Sequence, residues 1–477
     1  IIGDINKLSI ASLSLDSRSC GKGYLYFAIT GTQVDGHSFI PSAIKNGAVA
    51  IIAERETECS VPQIIVEDTR AAMSYIAAEF YGLPSQKLVL IGVTGTNGKT
   101  TTTHMLRSIA MAKGISTGMI GTSGIFLNTE KLDIKIATST TPDPIELQYI
   151  LRRLVDGGAE WVVMEVTAHA LDLRKTEGVL FASAVFINLT QDHLDYFGDM
   201  EHYFNAKASF FNATKTKNAV VNIDDSYGMR LKSDIKDISL ITCGINTKCD
   251  LRAENIEMAV NGSSFNLNYN GKIAKVHLKC SGAFNIYNSL CAIGSALQCG
   301  LSMQDCIRGI ESFVYVPGRF ETPDMDGRDF SVVIDYAHTP DGLENILKAV
   351  IGYKKGRLIC IFGCGGNRDS VKRPIMGYIA SRYSDFCILT SDNPRFEEPQ
   401  EIIDQIAAGM EKGFTSYIEV VNRSKAIEFA INMARKDDII VLAGKGDENY
   451  QDINGEKIHF SDREAVQEIL KNTKNAI

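Results

Sequence analysis

Apolar residues in this chain fall in short bursts, separated by stretches in which they return every three or four positions. The bursts read as buried strands and the periodic stretches as helices. The first bursts occupy residues 25–29, 48–53 and 63–66, and a helical stretch follows over 69–80. The punctuation Gly82-Leu83-Pro84-Ser85 reads as a linker that closes a first segment, residues 1–86.

A second segment, residues 87–316, opens on the burst 88–93 and passes through a Gly/Thr/Asn loop into a helical stretch from Lys99 to about Lys113. Further bursts lie at 161–166, 184–189 and 219–223. Strands alternating with helices predict a parallel sheet covered on both faces. Over 251–279 the period shortens to alternation, with Asn261-Gly262 and Asn270-Gly271 as hairpin turns, and 284–299 returns to helix. The third segment, residues 317–477, has expected strands at 331–335, 357–362, 386–390, 417–421 and 438–443. The fold class is α/β in three domains: a small N-terminal α/β domain, a central doubly wound domain built around a phosphate loop, and a Rossmann-like C-terminal domain.

Composition narrows the class of protein. Hydrophobic residues make up 45% and charged residues 22%, as in an ordinary globular chain. A net charge of −8 argues against a general nucleic-acid binder. No apolar run approaches the roughly 18 residues that span a bilayer, so no membrane insertion is expected. Residues 1–19 lack a basic region followed by an apolar one, so no signal peptide is expected. Eleven cysteines without CxxC spacing fit reduced thiols in the cytoplasm rather than a zinc site.

The strongest local signal is LVLIGVTGTNGKTT, residues 88–101. Glycines let backbone N–H groups approach phosphates, and the helix N-terminus adds unpaired donors and partial positive charge. Lys99 can reach the terminal phosphates, and the Thr100 hydroxyl can bind Mg²⁺. Val93 stands where the strict motif has its first glycine. The loop alone indicates ATP or GTP and does not separate a ligase from an ATPase or a kinase. Glu165 ends the burst WVVME, where a hard oxygen ligand would suit Mg²⁺. His193 follows another strand end. By spacing alone it reads equally well as a structural histidine, and Lys207 reads more readily as a solvated helix lysine.

The stretches GTNGKTT (95–101), NLTQDHLDYFGDMEHYFNAK (188–207), GAFNIYN (282–288), PGRFE (317–321), DYAHTPD (335–341), GCGGNRD (363–369), SDNPR (391–395) and GKG (444–446) occur in one chain. Their order resembles that of the Mur ligases, and the resemblance runs from Asp16 to Lys445. It implies an ATP-dependent amide ligase that adds meso-diaminopimelate to UDP-N-acetylmuramoyl-L-alanyl-D-glutamate through an acyl phosphate, in peptidoglycan precursor synthesis. It implies a cytoplasmic monomer with ATP and two Mg²⁺ ions as cofactors.

Carried over residue by residue, the resemblance assigns Gly95, Thr96, Asn97, Gly98, Lys99, Thr100, Thr101, Asn288, Arg319 and Asp335 to ATP. Ser17, Thr32, Gln33, Ser139, Thr140, Thr141, Thr167 and Lys175 fall to the UDP-muramoyl peptide, with the N-terminal domain holding UDP. Thr100, Glu165, His193 and Lys207, the last as a carbamate, are implied metal ligands. Lys99, Glu165, His193 and Lys207 are the implied catalytic set. Arg368, Asp392, Asn393, Pro394, Arg395, Gly444 and Glu448 are implied for the amino acid. An arginine fork suits the distal carboxylate of meso-diaminopimelate, which lysine lacks. The chain departs from the family's usual pattern at Thr167-Ala168, at Leu173 and Lys175, and at Asp447. A paralogue using lysine or another acceptor, or an inactive binding homologue, would carry such departures. Cys364 reads as a small residue in a tight loop rather than a nucleophile.

Overall fold

The computed structural model describes the chain except residues Lys7, Thr32, Gln33, Lys135, Ser139, Val260, Asn261 and the last three, 475–477. It forms two compact units, residues 1–252 with 287–312, and residues 253–286 with 313–477.

The first unit contains two sheets. The smaller has four parallel strands in the order Ser12–Ser14, Tyr24–Phe27, Ala48–Ala53, Gln63–Ile65. Helix Thr69–Phe80 lies where the sequence predicts it, and buries Met73 and Ala77 against Leu13, Leu25, Phe27 and Ile52. Its start is capped by Asp68, whose side chain accepts from Ala71 N at 2.9 Å. The expected linker at 82–85 is instead a packed corner. Gly82 and Leu83 take positive φ, Leu83 N donates back to Ala78 O at 2.8 Å, and Pro84 and Ser85 are buried in a following single turn. Those residues end a helix by capping its carbonyls, which looks the same in sequence as a flexible join.

The larger sheet of this unit runs Ser239–Gly244, Asn218–Asn222, Ser183–Phe186, Val89–Thr94, Trp161–Glu165, Thr117–Gly121, Gly124–Leu127, Glu130–Lys131. The first six strands are parallel and the last two antiparallel. The phosphate-loop strand therefore sits inside the sheet, paired on both sides, and its residues 90–94 are buried as the unbroken apolar run requires. The antiparallel edge was not legible from the pattern, because its strands are only four and two residues long.

In the second unit, strands Gly262–Tyr269 and Lys272–Leu278 form the expected hairpin. Asn270 and Gly271 both take positive φ, as a two-residue turn of this kind demands. The other expected turn, at Asn261-Gly262, falls partly outside the described residues. A five-stranded parallel sheet follows in the order Ser331–Asp335, Ile439–Ala443, Leu358–Phe362, Phe386–Leu389, Tyr417–Glu419. Separate apolar clusters cover its two faces. A hairpin, Tyr450–Ile453 with Glu456–His459, has no counterpart among the sequence expectations. All eleven cysteines are free thiols. Among the described residues no helix is long and apolar enough to cross a membrane.

Candidate active site

Strand Val89–Thr94 delivers the loop, and helix Lys99–Ala112 begins directly behind it. Gly98 turns the chain at φ 85°, and a Cβ there would lie 2.3 Å from Asn288 Oδ1. Glycine is thus required twice, by backbone conformation and by the close approach of Asn288. Asn188 pins the loop from the neighbouring strand end: its Oδ1 accepts from Thr96 N at 3.1 Å and Asn97 N at 2.9 Å. Thr190 N donates to Thr96 Oγ1 at 3.0 Å. Lys99 folds over its own loop, with Nζ donating to Gly95 O and Thr96 O, both at 2.9 Å. Thr100 and Thr101 occupy the first helical turn, half-buried.

Lys207, on helix Met200–Ala208, is only 1% exposed. Its Nζ donates to the same Gly95 O at 3.0 Å and sits 4.8 Å from the Tyr203 ring centre. Burial, and then the positive charge of Lys99, push its amine well below the ordinary lysine range; Asp192 acts weakly the other way. This is no solvated surface lysine. His193 takes a left-handed backbone (φ 54°) and its ring lies 4.7 Å from that of His169.

Glu165 is buried at the end of its strand. Its Oε1 accepts from Thr122 N at 2.9 Å and its Oε2 from Thr122 Oγ1 at 3.3 Å. A Cβ on Gly121 would lie 2.3 Å from Oε1, so the neighbouring strand must offer glycine there. Thr141 Oγ1 donates to Glu165 O at 3.0 Å and accepts from Thr167 N at 3.1 Å. Thr167 Oγ1 in turn caps the next helical turn through Ala170 N at 3.2 Å.

These side chains meet around a cavity of about 320 Å³ lined by Lys99, Lys175, His193 and Lys207 and by the threonines 138, 140, 141 and 167. Lys175 Nζ is 2.7 Å from Asp143 Oδ1, whereas Arg174 pairs with Asp68 and does not line the cavity. A wall of basic nitrogens and hydroxyls suits a polyanion. Among the described residues no three His, Cys, Asp or Glu side chains gather to hold a metal by themselves. A hard cation here would draw on Glu165, the Thr100 hydroxyl and phosphate oxygens, which is how Mg²⁺ is commonly held. Ser17 is buried in the turn Ser17–Ser19, where its carbonyl accepts from Asn46 Nδ2 at 2.8 Å, and it does not line this cavity. Thr32, Gln33 and Ser139 lie outside the described residues.

In the second unit, Asn393 Oδ1 accepts from the buried Lys445 Nζ at 3.2 Å and from Asp452 N at 3.0 Å, while Asn393 Nδ2 donates to Glu448 Oε2 at 2.9 Å. Arg395 also takes positive φ, and its Nη1 donates to Gly366 O at 2.8 Å. Gly444 approaches Asp392 so closely that a Cβ would lie 2.6 Å from Oδ2. The structure brings Asp392, Asn393, Pro394, Arg395, Gly444 and Glu448 together, and leaves Arg368 exposed on the adjoining loop. The Arg319 guanidinium stacks 4.7 Å from the Tyr336 ring centre. Asp335 spends both carboxylate oxygens on backbone N–H groups, of Phe320 at 2.7 Å and Ala337 at 2.9 Å. Asn188, Tyr203 and Lys445 lay inside recognised stretches without being singled out, and His169 lay outside them. Thr122 and Asp143 lay outside the stretches singled out.

Three family descriptions match the chain in order: "Mur ligase family, catalytic domain" over 9–81, "Mur ligase middle domain" over 93–296, and "Mur ligase, glutamate ligase domain" over 318–446. A UDP-N-acetylmuramoyl-L-alanyl-D-glutamate–2,6-diaminopimelate ligase 1 of Clostridium acetobutylicum is 44% identical over 476 residues, covering 99% of this chain and 96% of that protein. The correspondingly named ligase of Aquifex aeolicus is 45% identical over 461 residues, covering 97% and 94%. A solved structure of a ligase of the same name superposes with a TM-score of 0.75 at 31% identity, covering 98% of this chain and 95% of that one.

Proposed function

This chain belongs to the Mur ligase family, and from that premise we propose that it joins meso-diaminopimelate to UDP-N-acetylmuramoyl-L-alanyl-D-glutamate at the expense of ATP. The observation that carries the reading is the convergence of Lys99, Lys207 and His193 with the threonine hydroxyls on one cavity beside the phosphate loop. Full-length identity to ligases of that name supports the substrate pair.

In this reading the loop amides and the amino end of helix Lys99–Ala112 hold the nucleotide phosphates. Lys99 leaves its loop carbonyls and turns to the γ-phosphate. The acceptor's glutamyl carboxylate attacks that phosphorus, ADP leaves, and an acyl phosphate forms. The amine of the amino acid then attacks the acyl carbon, and phosphate departs as the amide closes. Fixed cationic groups stabilise charge that spreads over the transferring phosphoryl group. Lys207, whose burial pushes its amine well below the ordinary lysine range, is set to add to carbon dioxide and release a proton, giving an anionic carbamate. That carbamate, Glu165, His193 and Thr100 would hold Mg²⁺, which supplies charge neutralisation at the phosphates when bound. Thr140, Thr141, Thr167 and Lys175 would face the muramoyl peptide, with Ser17, Thr32, Gln33 and Ser139 assigned to the same substrate by family pattern. Asn288, Arg319 and Asp335 serve the nucleoside. Arg368 and Arg395 grip the distal carboxylate, with Asp392, Asn393, Gly444 and Glu448 around it. The three segments 1–86, 87–316 and 317–477 then act as UDP-sugar, ATP and amino-acid domains of a cytoplasmic monomer.

Phosphate release from ATP, measured with the acceptor and meso-diaminopimelate, lysine or no amino acid, tests this. Turnover is expected only with meso-diaminopimelate. Turnover with lysine instead discards the role of the arginines, and no turnover with either overturns the acceptor assignment.

A further inference from the structure

Lys175 lines the cavity and is paired with a carboxylate that does not. Lys175 lines the cavity with its side chain 13% exposed, and its Nζ is 2.7 Å from Asp143 Oδ1, itself 24% exposed. Lys99 donates to the carbonyls of Gly95 and Thr96, and Lys207 to that of Gly95. Asp143 does not line the cavity. It precedes Pro144 as the cap of helix Pro144–Asp156, which buries Leu147, Ile150, Leu151 and Leu154 in the core. Leu147 N donates to Asp143 O at 2.7 Å, and Glu146 Oε2 accepts from Asp143 N at 3.4 Å. The aspartate backbone is therefore anchored to a rigid element, while its carboxylate reaches Lys175.

A lysine is a point charge on a four-carbon stem, without the planar fork that lets arginine orient itself on a carboxylate. Paired with Asp143 at 2.7 Å, the ammonium is held at the cavity wall. Fixing a flexible cation before its ligand arrives removes part of the ordering cost of binding. We propose that Asp143 is a positioning residue that aims Lys175 at an anionic group of the acceptor, so that this pair does at the acceptor site what a self-orienting guanidinium would do alone. The proposal rests on the reading that this cavity takes the UDP-muramoyl dipeptide, and it adds a residue that determines acceptor affinity.

Asparagine is as good a helix cap as aspartate, so Asp143→Asn removes the charge and keeps the fold. The test is a double-mutant cycle on the full chain with Asp143→Asn, Lys175→Met and the pair. It reads acceptor Kd by calorimetry, then KM and kcat for acceptor and ATP, with thermal melts as the folding control. Asp143→Asn is expected to raise acceptor Kd and KM roughly five- to tenfold, with ATP KM and kcat within about twofold. The double variant is expected to bind the acceptor no more weakly than Lys175→Met alone. Unchanged or tighter acceptor binding in Asp143→Asn, additive losses in the double variant, or an equal rise in ATP KM would overturn the proposal while leaving the ligase reading intact. Failure of the unmodified protein to bind the acceptor at all would overturn both.

Discussion

Lys207 shows how one residue's surroundings decide its chemistry. Its amine is buried, shares the Gly95 carbonyl with Lys99, and is driven toward the neutral form that can act as a nucleophile. A surface lysine would stay protonated and inert to carbon dioxide at neutral pH. Lys207→Ala is therefore expected to cut amide formation by at least about 100-fold, with no rescue by added bicarbonate, as read by ADP release. Full activity in that variant would remove the carbamate from the scheme. Cys364 illustrates the reverse case: burial pushes its thiol up to about 12, so it is packing rather than a nucleophile.

At the scale of elements, the site depends on strand-to-helix joins held by side chains from neighbouring strands. Gly98 is one of these joins. Gly98→Ala meets a positive φ and a Cβ position 2.3 Å from Asn288 Oδ1. It is expected to cost about 1–3 kcal/mol in denaturant unfolding and to weaken nucleotide binding as well. Restoring space with Asn288→Ala should recover part of the stability, since the φ strain remains. A second join is held by Asp224. Its carboxylate accepts from Ile245 N at 2.6 Å, Asn246 N and Thr247 N at 2.8 Å, and Tyr287 OH at 2.9 Å. Burial would raise its pKa, but these bonds outweigh it and hold the group at about 2. The folded value is depressed, so the stabilisation is present above about pH 4 and fades as pH falls toward 2. Asp224→Asn is expected to lose about 1 kcal/mol at pH 7, after allowance for solvent screening, in urea unfolding. The gap from the parent should close as the pH is lowered through that window.

For the whole molecule, chemistry is divided between two units. The phosphate loop, Glu165, His193 and Lys207 belong to one, and the Asn393, Arg395, Glu448 cluster to the other. Each has its own core, and the second is further tied by the fully buried Arg423–Asp462 pair at 2.7 Å. Binding energy for the nucleotide and for the amino acid should therefore be separable by mutation. Arg395→Ala is expected to raise KM for meso-diaminopimelate by about 100-fold or more while ATP KM moves less than about threefold, because the proposed charge-assisted contact would be lost at one site only. Equal changes in both constants would argue that Arg395 holds the unit together instead of the substrate.

Local features were legible before any fold was known. The unbroken apolar run before GTNGKTT marked a buried parallel strand and the Asn270-Gly271 turn marked a hairpin; each depends on contiguous residues whose periodicity or backbone freedom is written in the chain. The order of the motifs was enough to indicate the family. What the chain did not disclose depends on partners distant in sequence. The corner at 82–85 looks like a linker until Leu83 N is seen to cap Ala78 O. Lys207 looks solvated until helix Met200–Ala208 is packed against Gly95. Asn188, Thr122 and Asp143 are ordinary polar residues until strands and a helix far apart in the chain set them against Asn97, Glu165 and Lys175. Burial and pairing set charge state and direction, and both are properties of the assembled sheet rather than of any stretch of residues.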